Sequence, residues 1–89
     1  MKPKSLNELT EFLQVGDNIR VTYPCVRGAR ATEIRVVSEI HQKHIITERE
    51  NGERIWCDLK SAESFKFDKN GFEFFCPRTG NFCARFDYI

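Results

Sequence analysis

The sequence lacks a long apolar run, a marked excess of either charge, and every compact catalytic motif. No stretch approaches the ~18 consecutive apolar residues of a membrane-spanning helix. The opening MKPKSLNELT carries lysines but no apolar h-region, so a secretory signal is not expected either. A net charge of +1 argues against a strongly basic nucleic-acid binder and equally against an acidic DNA mimic. There is no phosphate-cradling glycine-rich loop, no H-E-x-x-H pair and no nucleophile elbow. Asp58, Glu73 and Asp87 alternate out of strands as solvated carboxylates do. An enzyme is not expected, and no cofactor is implied.

What is present fits one small globular unit. At 89 residues there is room for a single domain, residues 1–89, large enough to bury about 60–65% of its unfolded surface in one core. Apolar residues make up 40% of the chain, eight of them phenylalanine. No repeat, low-complexity tract or interdomain linker interrupts it. The expected compartment is cytoplasmic, where thiols stay reduced, so the four cysteines (25, 57, 76 and 83) read as free thiols or metal ligands before disulfides.

The chain opens with a short helical signal over residues 5–14. Ser5 and Glu8 have capping-box spacing, and Leu6, Leu9, Phe12 and Leu13 share one face before Gly16. The period then switches to two. Ile19, Val21 and Tyr23 alternate with Arg20 and Thr22 up to Pro24, and further strands are predicted near 32–40, 43–48 and 54–59. Asn51-Gly52 and Asn70-Gly71 are hairpin signals, the first of the kind that fits a type I′ turn. Ser61–Ser64 reads as a single helical turn or loop. Phe72–Cys76 and Phe82–Ile89 form a last pair around PRTGN. Six or seven short strands with tight turns predict a mainly β protein, a small antiparallel barrel or sandwich.

Gly16-Asp17 opening a strand with Ile19 and Val21, a long loop containing Gly28, then Ile34, Val36 and Ile40, and then a hairpin, resembles the SH3-like barrels. More narrowly, it resembles their KOW-type variant of ribosomal proteins and transcription elongation factors. The resemblance covers about residues 15–68. It implies a small antiparallel SH3-like barrel with a short N-terminal helix and an added C-terminal hairpin at about 72–89. Proteins of this shape bind RNA, DNA, peptides or proteins and are rarely enzymes, and the fold does not choose among those partners.

The stretch with the most pointed chemistry is CVRGARATEIR, Cys25–Arg35. Four arginines and one acid, Glu33, lie between Arg20 and Arg35. Arginine offers a planar fork of donors for carboxylate or phosphate and a face that stacks on aromatics. Arg20 and Arg35 fall on strands and Arg27 and Arg30 flank Gly28, so the four guanidiniums are candidates to converge. The bland alternative is a solvated loop with one arginine paired to Glu33. Tyr23 and Trp56 are candidate stacking partners; for Trp56 the alternative is core packing against the helix.

A metal site is a weaker reading. Cys76-Pro77-Arg78-Thr79-Gly80 is close to a zinc knuckle, but Thr79 stands where the second thiol belongs. Cys83 could approach Cys76 across the turn, with nitrogens from His41 and His44. Those two histidines, however, would point to opposite faces of a continuous strand. Cys57 fits a buried apolar role instead. A Cys76–Cys83 disulfide is a minor option in an oxidising compartment. The surplus of phenylalanine in the C-terminal third raises a homodimer or partner surface.

The leading expectation is a non-enzymatic binding module that engages a protein or nucleoprotein partner through the arginine stretch, without a membrane. Small lone binding domains are typical of phage- or plasmid-type modulators, including inhibitors of host defence or nucleic-acid machinery, and size alone suggests that class. The competing expectations are a sequence-nonspecific RNA- or DNA-binding domain and a zinc-dependent module.

Overall fold

The alternation of Ile19, Val21 and Tyr23 builds the centre of the molecule. In the computed structural model, which describes residues 2–89, β1 (Asn18–Pro24) pairs antiparallel with β2 (Arg30–Ile40) on one side. On the other it pairs with β7 (Phe82–Tyr88). The remaining strands are β3 (His44–Glu48), β4 (Arg54–Asp58), β5 (Phe65–Phe67) and β6 (Gly71–Phe75). All join one seven-stranded antiparallel sheet in the order β4-β3-β2-β1-β7-β6-β5, curled into a half-barrel.

The last two strands are part of this sheet rather than an appendage to a finished barrel. β7 sits beside β1, and β5, the last strand of the 15–68 segment, pairs with β6. Sequence periodicity shows that a strand exists and which residues share a face. It does not show which distant strand will lie next to it.

Directly paired residues share a face, so the register assigns the inner surface. Ile19 lies opposite Arg35 and Tyr88, and Val21 opposite Glu33 and Phe86. Phe72 lies opposite Phe67 and Phe86. Phe72, Ile19, Val21, Val37 and Ile45 are fully buried, with Cys57 at the same core.

Helix α1 (Leu6–Phe12) closes one end. Ser5 caps it by accepting from the Glu8 N–H, while the Glu8 carboxylate meets the Ser5 hydroxyl instead of its backbone N–H, so only half of the expected capping box forms. Leu9 and Leu13 enter the core, and Phe12 packs on Tyr88 at 4.9 Å between ring centroids. A seven-residue helix is too short to hold alone; docking on the sheet keeps it.

Both expected hairpins form, each with its own turn chemistry. At the first, only Gly52 has positive φ, and Arg49 N–H donates to the Glu53 carbonyl around a three-residue loop. This is a turn ending in a left-handed glycine, not a type I′ pair. At the second, Asp68 accepts from the Asn70 and Gly71 N–H groups. Gly71 is not left-handed there. It is needed because a Cβ would collide with the Phe86 carbonyl oxygen of the neighbouring strand.

No helix among the described residues is long and apolar enough to cross a membrane.

Candidate functional site

With α1 over the end near Ile19 and Tyr88, the opposite end of the half-barrel stays open. A cavity of about 560 Å³ lies there, lined by Tyr23, Arg35, Ile55, Trp56, Phe74 and Phe86 among others. These residues come from β1, β2, β4, β6 and β7, so the curl of the sheet, not any local motif, assembles the site. Pro24, at the base of the arginine loop, lines it too.

A polar network centred on Glu33 ties together three of the lining side chains, Tyr23, Arg35 and Arg49. Arg35 Nε donates to Glu33 Oε2 at 2.6 Å, and Tyr23 Oη donates to Glu33 Oε1 at 3.1 Å. Arg49 Nη2 donates to Glu33 Oε1 at 2.8 Å, while its Nη1 donates to Glu53. Burial raises the Glu33 carboxyl, but hydrogen bonds from Arg35, Arg49 and Tyr23 outweigh it and hold the group below its ordinary value. The Arg35 guanidinium also lies 5.6 Å from the Tyr23 ring centroid. Glu33 and Arg35 are in phase with buried Val37, so two charges occupy core positions of β2.

The cavity also holds two thiols, Cys57 and Cys83. Burial pushes Cys57 up to about 12 and raises Cys83 as well, the latter helped by Cys76. Both keep their protons at neutral pH and offer no thiolate nucleophile.

The four arginines do not converge. Arg35 is buried on the inner face, while Arg20, one step out of phase with Ile19, is exposed on the outer face. Arg30 lies over the Phe82 ring at 4.3 Å, and Phe82 in turn meets Phe75 edge to face. Lys66 covers Phe75 at 5.0 Å, so cations cap part of the phenylalanine surplus. Arg27 is at the exposed tip, beside Val26, with φ 60° and ψ 33°. A left-handed backbone is uncommon away from glycine and costs about 1 kcal/mol.

Trp56 does not pack on the helix. It is 61% exposed on edge strand β4, one step out of phase with the inward Ile55 and Cys57, and stacks on His44, with ring centroids 3.6 Å apart and planes 10° from parallel. His41 stacks on His44 in turn at 4.3 Å. The two histidines share a side because β2 ends at Ile40 and β3 begins at His44, so the chain turns between them. Cys76 and Cys83 flank the β6–β7 turn as free thiols. Among the described residues no three His, Cys, Asp or Glu side chains are grouped to hold a metal ion.

Of the residues singled out from sequence, the structure thus brings Tyr23, Arg35 and Trp56 to one cavity and leaves Arg20, Arg27 and Arg30 outside its lining. Compared with protein-family models, curated proteins and solved structures, the chain matches none.

Proposed function

We propose that this protein is a non-enzymatic binding module that holds a protein partner at the open end of the half-barrel. The observation that carries the reading is the cavity itself. It combines an apolar wall, a buried arginine and an exposed tryptophan on edge strand β4. Tryptophan, tyrosine and arginine are the usual interface anchors, and barrel mouths are favoured ligand sites.

The arginine loop belongs to this surface through Pro24, with Val26 and Arg27 exposed beyond it. Naked nucleic acid is the weaker partner, because the guanidiniums point in different directions instead of forming one phosphate-tracking stripe. The likeness to SH3-like barrels is part of the proposal. The four-strand antiparallel run β1–β4 supports it, although the connection after the first strand is only the short Cys25–Ala29 turn and not the long loop expected from sequence. A modulator or inhibitor of host machinery in a phage- or plasmid-type setting remains the class suggested by size, and the cytoplasm the compartment expected from the sequence.

Capture from a lysate of the source organism, with and without nuclease, tests the partner class. A protein retained after nuclease is the expected result. An oligonucleotide that binds the isolated protein with affinity falling steeply in salt would favour nucleic acid instead.

A further inference from the structure

The cavity contains one unfinished polar element. The Arg35 side chain is 8% exposed, and only its Nε is engaged, by Glu33. Neither Nη1 nor Nη2 has an acceptor among the described residues, whereas Arg49 commits both of its Nη groups to Glu33, Tyr23 and Glu53. Neither Arg35 Nη group is sealed: among the described residues the fully buried side-chain polar atom without a partner is Tyr88 Oη, so the two Arg35 nitrogens are wetted and open to a ligand. A guanidinium bound on one edge and free on the other presents an end-on fork suited to one carboxylate.

We propose that the open end of the half-barrel takes the C-terminal carboxylate of a peptide whose last residue is large and apolar. The carboxylate meets Nη1 and Nη2 of Arg35, and the apolar side chain rests against Ile55, Phe74 and Phe86. This rests on the reading that the open end is the binding surface.

Three features select this chemistry. The lining has two cations, Arg35 and Arg49, and one carboxylate, Asp58, while Glu33 pairs with both cations from outside the lining. A single negative charge suits that balance, while a phosphate dianion would be repelled by the carboxylates. The wall beside Arg35 is apolar, so a ligand needs a greasy group next to its charge. A chain terminus supplies both from one Cα, and a cavity of about 560 Å³ has room for one large side chain with its terminal backbone.

Trp56, the single tryptophan, lines the cavity and serves as the reporter. The test is a fluorescence and calorimetric titration of the intact protein. The probes are acetyl-Gly-Gly-Phe with a free carboxylate and the same peptide amidated. The free acid is expected to bind saturably and the amide about tenfold more weakly or worse. Arg35→Lys should weaken the acid by a similar factor, and Arg20→Ala should leave it unchanged. Equal binding of acid and amide, or no binding of either up to about 5 mM, would overturn the proposal. The acid–amide comparison uses unmutated protein, so it does not depend on whether an Arg35 variant folds. If both peptides fail while a nuclease-resistant protein is still captured and lost in Trp56→Ala, the carboxylate assignment falls and the open-end reading stands.

Discussion

Arg35 and Glu33 face the same interior two residues apart on β2, joined by a 2.6 Å hydrogen bond from Nε to Oε2. Arg35 is buried where an apolar side chain would serve the core, and Glu33, which also accepts from Arg49 and Tyr23, is its paired carboxylate. Removing one partner of such a pair strands the second. Glu33→Gln should therefore destabilise the fold by about 1–3 kcal/mol, read from urea denaturation. A loss below about 0.5 kcal/mol would show that the Glu33 network is not holding Arg35.

Gly71→Ala tests the strand packing that differs from the sequence reading. The new methyl would meet the Phe86 carbonyl oxygen, a backbone atom that cannot swing away. Overpacking of this kind should cost about 1–3 kcal/mol or more in thermal or urea unfolding. An unchanged midpoint would contradict the close β6–β7 approach.

Arg27→Gly should stabilise the protein by about 0.5–1 kcal/mol, since glycine adopts φ 60° without penalty. If stability rises while partner affinity falls, the strained arginine serves binding at the expense of folding. If neither changes, the loop is a solvated connection.

The strongest outer ion-pair cluster predicts an acid response. Asp68 is held well below the usual carboxylate range, first by hydrogen bonds from Arg85 and then by the Asn70 N–H. A depressed folded-state value means that the contribution is fully present above the unfolded value of about 3.9. It is lost as pH falls below that. The Tm difference between wild type and Asp68→Asn should thus be largest above about pH 5 and shrink towards pH 2. A pH-independent difference would sink the assignment.

Much of the fold could be read before the structure. Ser5 and the leucines gave the helix, period-two alternation gave the strands, and the two Asn-Gly pairs gave the hairpins, although Gly71 acts through packing and not through its φ. What stayed hidden is long-range. Nothing local in Phe82–Tyr88 says that it will lie beside Asn18–Pro24. The cavity was hidden for the same reason, since Ile55 and Phe74 come to line one space only once the sheet curls. The inward turn of Arg35 did leave a trace, because Glu33, Arg35 and Val37 share one phase, but charged residues at core phase are more simply read as solvated. His41 and His44 would oppose each other on a continuous strand, but the break expected after Ile40 is a turn that stacks the two rings.

The most direct test of the central claim compares capture of the partner by wild type, Trp56→Ala and Arg20→Ala. Trp56 is exposed on edge strand β4, so its loss should leave Tm nearly unchanged. The account predicts that Trp56→Ala, still folded, loses a nuclease-resistant partner while Arg20→Ala on the outer face retains it. Capture that survives Trp56→Ala and fails in Arg20→Ala, or that vanishes with nuclease, would contradict it.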